Sequence, residues 1–288
     1  MNTMYQGALV ANASAMGFNW VYNMPYLERL AGEQSLVFQP VDPAKYKRAG
    51  KAYLAYPNAK VGTISVQGEI LRWLIAALQE NPNLTKEQYQ QMVFEQLKPG
   101  GEYVGYVESY AKQLIINNLN EQIKNEVKPL VINDDQLVGF APYLATRILD
   151  LPNTRAYELA QAFTSETDYA KLYEMFDAII EKLPTSTMQQ AIKESIWRAP
   201  SAYQVPLQKA MELTNSMTFI TNHSGTACHI PHAIPLIIHI MYHATSFQEA
   251  VKKNVLLGGA SCDRGTIIGA IYSFKDSIPE EWAKKIAA

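Results

Sequence analysis

Gly258-Gly259 separates two runs that both read as buried helices, and few folds accept that arrangement. Upstream, Ser246 with Glu249 three residues on is a capping-box pattern that starts a helix at Phe247. Ala250, Val251, Val255 and Leu256 then give an apolar stripe at helical spacing. Paired glycines favour the left-handed turn that releases a helix C-terminus. A further helix resumes near Gly265, and its Ile267, Ile268, Ala270 and Ile271 are too apolar to face water. The spacing therefore predicts a short polar loop, Ala260-Ser261-Cys262-Asp263, pinned between two buried helices. Side chains held that rigidly are suited to chemistry.

Helical periodicity runs through the rest of the chain. Leu9, Ala13, Met16 and Trp20 suit a buried first helix, and Ile70, Leu71, Leu74, Ile75 and Leu78 repeat the pattern until Asn81-Pro82 breaks it. Thr85 with Gln88 caps another helix through Leu97, and Leu172, Met175, Phe176, Ile179, Ile180 and Leu183 make the clearest amphipathic helix of all. Alternating strand patterns are nearly absent; Ser35 to Val41 is one extended piece without an obvious partner. Proline loops at 39–43, 184–187 and 199–206 punctuate the helices without a shift in composition. The expectation is an all-α, single-domain helical bundle over residues 1–288, large enough to bury a substantial core with 48% hydrophobic residues.

The formal charge is −2 and the 25 basic residues are scattered, so no nucleic-acid partner is expected. Ile230 to Ala244 is the most apolar long run, but it is too short and too rich in proline and histidine to span a bilayer. Gly7 to Phe18 has no basic residue before it, which argues against a signal peptide. Cys228 and Cys262 read as reduced thiols of a cytoplasmic protein. His239 and His243 lie four apart, and Cys228, His229 and His232 make a tighter group, but neither set has the partners that complete a zinc site. Asp134 and Asp135 read as a cap or turn, and Tyr103, Tyr106 and Tyr110 as a core stripe with an adenine-stacking platform as the alternative.

The opening stretch resembles the C-terminal signature of the ADP-ribosylglycohydrolase family and its J-crystallin-like branch: Phe247, Glu249-Ala250, Asn254, Gly258-Gly259, Arg264-Gly265 and Ile268-Gly269-Ala270 follow it. Gly7 to Asn23 resembles the family's first motif, and Gln67-Gly68-Glu69-Ile70 stands where the second is expected. Tyr103 to Lys112, Asn133 to Gln136, and Thr226 to Pro235 resemble further segments in the right order, so the resemblance touches the chain from Gly7 to Trp282. It implies an orthogonal bundle of helices carrying two magnesium ions that cleaves a glycosidic bond to ADP-ribose.

The chemical positions depart from that pattern. Where the hydrolases read G-G-D-x-D-T, this chain has Ala260, Cys262 and Asp263 at the two aspartates and the threonine. The ionisable positions of the first motif are Asn12, Asn19 and Asn23, and only Glu69 keeps a carboxylate in the second. A dinuclear magnesium centre needs several hard oxygen ligands, and a thiol is soft, so no metal or other cofactor is expected. Candidate catalytic groups are Glu69, Asp263 and Cys262, with Asn12, Asn19, Asn23, Gln67, Gly68, Gly258, Gly259, Ala260, Ser261 and Arg264 around a ligand pocket. Three functions follow: a divergent hydrolase of ADP-ribosyl or related N- or O-glycosides, a non-catalytic pocket for ADP-ribose or a related nucleotide or sugar, or a crystallin-like structural protein. The oligomeric state is left open.

Overall fold

The computed structural model describes residues 2–286, and those residues build an all-helical molecule with sixteen α-helices and no strands. The extended contacts are isolated bridges, Val21 with Ala52 and Gly259, and Gln136 with His229. Buried apolar side chains form one continuous core from Met4 to Trp282. Among the described residues no helix is long and apolar enough to cross a membrane.

The axis of the molecule is a pair of helices, Thr3–Ala15 and Ser261–Tyr272, packed along their whole length. Neither is amphipathic, because both are buried on all sides. Small residues make the seam: a Cβ on Gly265 would lie 2.7 Å from the Ala11 carbonyl oxygen, and one on Gly269 would collide with the Gly7 carbonyl. Around this pair pack the helices Val66–Glu80, Phe140–Ile148, Ile230–His243 and Phe247–Leu256.

Several sequence expectations are met in detail. The helix at Phe247 begins where its cap predicts, with the Ser246 hydroxyl accepting from the Glu249 N–H at 3.1 Å. The box is half-formed, since the Glu249 carboxylate reaches Thr245 instead. Thr85 and Gln88 make the complete box. Three expectations change. The helix expected to resume near Gly265 begins at Ser261, because Gly258 and Gly259, both at φ +67°, complete the reversal and leave Ala260 as the cap. Tyr103 and Tyr106 lie in the loop before the helix Ser109–Gln122, so only Tyr110 joins a helix. Pro206 sits inside the helix Ser201–Glu212, where its missing bond falls on the exposed Ala202.

Candidate functional site

The glycine reversal is stitched to the turn after the first helix. The Trp20 N–H donates to the Gly259 carbonyl and the Gly259 N–H to the Val21 carbonyl, both at 2.7 Å. Tyr53 N–H donates to the Trp20 carbonyl at 2.9 Å, bringing in the segment after residue 50. Trp20 takes a left-handed φ of +61° to make these bonds. On the opposite side, Ile230 N–H donates to the Asp135 carbonyl at 2.9 Å, which fixes Cys228 and Gln136 next to each other.

These segments enclose a pocket of about 390 Å³ walled by Trp20, Tyr22, Tyr53 and Tyr106, floored by Glu108, and closed by Gln136 and Cys228. The aromatic rings brace one another: Tyr106 meets Trp20 edge-on with centroids 5.2 Å apart, and Tyr53 at 5.7 Å. Glu108 is buried, and Gln67 donates to its Oε2 at 3.4 Å while its Oε1 has no partner. Burial, reinforced by the charge of Asp263, pushes the Glu108 carboxyl well above its ordinary range. Asp263 is likewise buried, its Oδ1 accepting from the Ser65 hydroxyl at 2.9 Å and its Oδ2 unpartnered. Burial raises it to about 7, against the lowering pull of the Ser65 hydrogen bond and the Arg264 charge.

Beside this pair lies a neutral knot. Asn12 donates from Nδ2 to the hydroxyls of Ser65 and Thr266, each at 2.9 Å, and accepts the Ser65 N–H at 2.8 Å. Gly68 packs against it closely enough that a Cβ would lie 3.2 Å from Asn12 Nδ2. Asn19 Oδ1 accepts the Cys262 N–H at 3.0 Å. The Arg264 guanidinium is buried and turned to the backbone: it donates to Asn254 Oδ1 at 3.2 Å, to the Gly258 carbonyl at 2.5 Å and to the carbonyls of Asn254 and Thr226. It therefore clamps the glycine reversal with four of its five N–H donors.

The structure thus gathers Asn12, Gln67, Gly68 and Asp263 at one point, with Asn19, Cys262 and the glycine reversal adjoining. Ala260 and Ser261 are buried beneath it, and the Ser261 hydroxyl is unpartnered. Asn23 lies apart, capping the helix Met24–Glu33 and donating to the Ala49 carbonyl at 2.8 Å. Glu69 faces elsewhere. It pairs with Arg72 and lines a second cavity of about 800 Å³. A helix turns about 100° per residue, so two residues carry Glu69 to the face opposite Gln67. Cys262 is wholly buried and its thiol is pushed well up by that burial, so it is held as a neutral thiol. No histidine from 223–232 is bonded to it: His223 stacks on Phe219, His229 pairs with Asp135, and His232 bonds to the Ser224 carbonyl. His239 and His243 do share a face, but both bond to the Ala210 carbonyl, at 2.9 and 3.1 Å. Among the described residues, no group of three or more His, Cys, Asp or Glu side chains is placed to hold a metal ion.

Glu108, Ser65 and Thr266 are the site groups that motif matching passed over. Glu108 had one signal: a lone acid in the aromatic segment YVGYVESYAK, directly before a helix.

An all-helical bundle of this connectivity is also the fold of a solved structure titled ADP-ribosylglycohydrolase-related protein complex. The two superpose with a TM-score of 0.63 over 99% of this chain and 93% of that one, at 13% identity. No curated protein matches by sequence. The sequence model of the ADP-ribosylglycohydrolase family matches residues 140–288, just over half the chain. The chain belongs to the ADP-ribosylglycohydrolase family.

Proposed function

We propose that this chain is a divergent member of its family, of the J-crystallin-like branch, that works without a dinuclear magnesium centre. Its pocket holds a nucleotide or sugar related to ADP-ribose. The chemistry of the donor set carries this reading. Asn12 spends its oxygen and its amide on Ser65 and Thr266, and Asn19 spends its oxygen on Cys262. The carboxyl oxygens left without partners are Glu108 Oε1 and Asp263 Oδ2. Two magnesium ions demand near-octahedral shells of hard oxygens, and two carboxylates do not fill them. The residues present do not fit that centre, so no step is routed through it.

What remains is a walled cavity with stacking surfaces and buried acceptors, the composition expected of a small-ligand site. ADP-ribose should raise the melting temperature and give saturable heat in calorimetry, with magnesium making no difference. Release of ADP-ribose from arginine- and serine-linked substrates should show no metal-dependent turnover. Magnesium-dependent turnover overturns the proposal; absence of any response to ADP-ribose would favour the structural-protein reading instead.

A further inference from the structure

Positive charge offsets the carboxyls of Glu108 and Asp263 only in part. Arg264, the nearest guanidinium, gives its donors to backbone carbonyls and Asn254. Lys112 stands outside the pocket with its ammonium over the Tyr106 ring at 4.8 Å, and it lowers Glu108 less than burial and Asp263 raise it. Asp134, tied to Gln136 and Ser109, adds a further negative group near the floor. The walls carry no basic side chain. A buried acceptor left unmatched costs about 1–3 kcal/mol, more if charged, so the unpartnered oxygens of Glu108 and Asp263 ask for donors.

The walls answer the same demand. Trp20 and Tyr53 stand 5.7 Å apart at 46°, and Tyr53 meets Tyr106 edge-on. Aromatic faces attract cations through the ring quadrupole, most strongly where water is excluded. The diphosphate of a bound nucleotide would find a carboxyl group and no cation between these walls, and would extend beyond them. Lys60 and Arg72 line the larger cavity across Tyr106 instead.

We propose that the pocket between Trp20, Tyr22, Tyr53 and Tyr106 takes a small organic cation with N–H donors, an alkylammonium or guanidinium, whose hydrogens reach Glu108. This rests on the assignment of the pocket as the ligand site and names the chemistry of the group that enters it. Cation entry ionises Glu108 and supplies the donor that its Oε1 lacks. The ring faces exclude neutral competitors only weakly, so charge carries the selectivity.

The experiment is calorimetric titration of the full chain at pH 8 with methylguanidinium chloride and with methylammonium chloride, against sodium chloride at equal ionic strength. ADP-ribose is titrated in parallel. Saturable binding of at least one organic cation is expected, weakened at least about 10-fold in Glu108→Gln, which keeps the shape of the floor, and about 5-fold in the half-exposed Tyr53→Ala. Equal affinity in wild type and Glu108→Gln, or no saturable binding of either cation, overturns the inference. If ADP-ribose binds and the cations do not, the cation chemistry alone has failed. If the cations bind and ADP-ribose does not, the inference stands and the nucleotide reading falls.

Discussion

Two buried polar regions lie side by side in this protein and obey opposite rules. Around Arg264 and the glycine reversal, nearly every donor meets an acceptor, and Asn254 both accepts from the guanidinium and donates to the Ser261 carbonyl at 2.7 Å. Beside it, Glu108 keeps an unpartnered oxygen on the floor of the aromatic pocket, and Asp263 keeps another in the buried interior. Matched polar burial fixes a backbone at little net cost, whereas unmatched burial is tolerated where a ligand is to complete it. The contrast separates frame from site within one stretch of sequence: Asp263 and Arg264 are neighbours, yet one keeps a carboxyl oxygen without a partner and the other spends its donors on the backbone.

The sharpest way to break the contrast is to remove the clamp. Arg264→Met should cost about 3–5 kcal/mol, because it strips the partners from the Gly258 carbonyl and the Asn254 oxygen at once. Urea denaturation reads the loss. A cost under about 1 kcal/mol would mean that the guanidinium is as idle as the carboxyl pair, and the distinction between the two regions would go.

How much of this was legible beforehand follows from the same physics. Caps and apolar spacing are local, so the helices at Val66, Lys86, Asp168 and Phe247 could be read from neighbouring residues. The Gly258-Gly259 reversal was legible because two glycines at φ +67° leave few alternatives. The site is another matter. Asn12, Ser65 and Asp263 are strung over some two hundred and fifty residues, and their meeting depends on helix packing that no spacing encodes. Glu69 shows the limit most plainly: a two-residue difference in register against the motif decides whether a carboxylate faces the site or Arg72. The amides at 12 and 19 read as neutral replacements, but that their oxygens are already spent is a fact of three dimensions.

Asn12→Asp sharpens the comparison by carrying the charge of one region into the other. It places a carboxylate in a fully buried position, linked through Ser65 to Asp263. Both hydroxyls that Asn12 now supplies with N–H donors, those of Ser65 and Thr266, would have to reverse. The variant should lose about 2–3 kcal/mol at pH 8 and regain most of it at pH 5, where the new acid stays protonated in the folded state. Melting temperatures at the two pH values test this, and a pH-independent loss would show that shape, not charge, sets the limit at this position.

The smallest effect expected is a gain. Both acids of the pair have folded-state values raised above their ordinary ones, Asp263 from 3.8 to about 7 and Glu108 well above 4.5. Below about pH 4 both states are protonated and the pair contributes its full share to stability. As pH rises towards 7 the unfolded chain releases protons that the folded one retains, so stability falls across that window. Glu108→Gln removes one titrating partner and the repulsion that it exerts on Asp263, and supplies an amide in its place. It should leave stability near pH 4 unchanged and raise it by about 1 kcal/mol at pH 8, flattening the slope between. Paired melts of wild type and variant across that range measure it. If the two curves stay parallel, Glu108 does not share the fate of Asp263, and the floor of the pocket is no less matched than the clamp beside it.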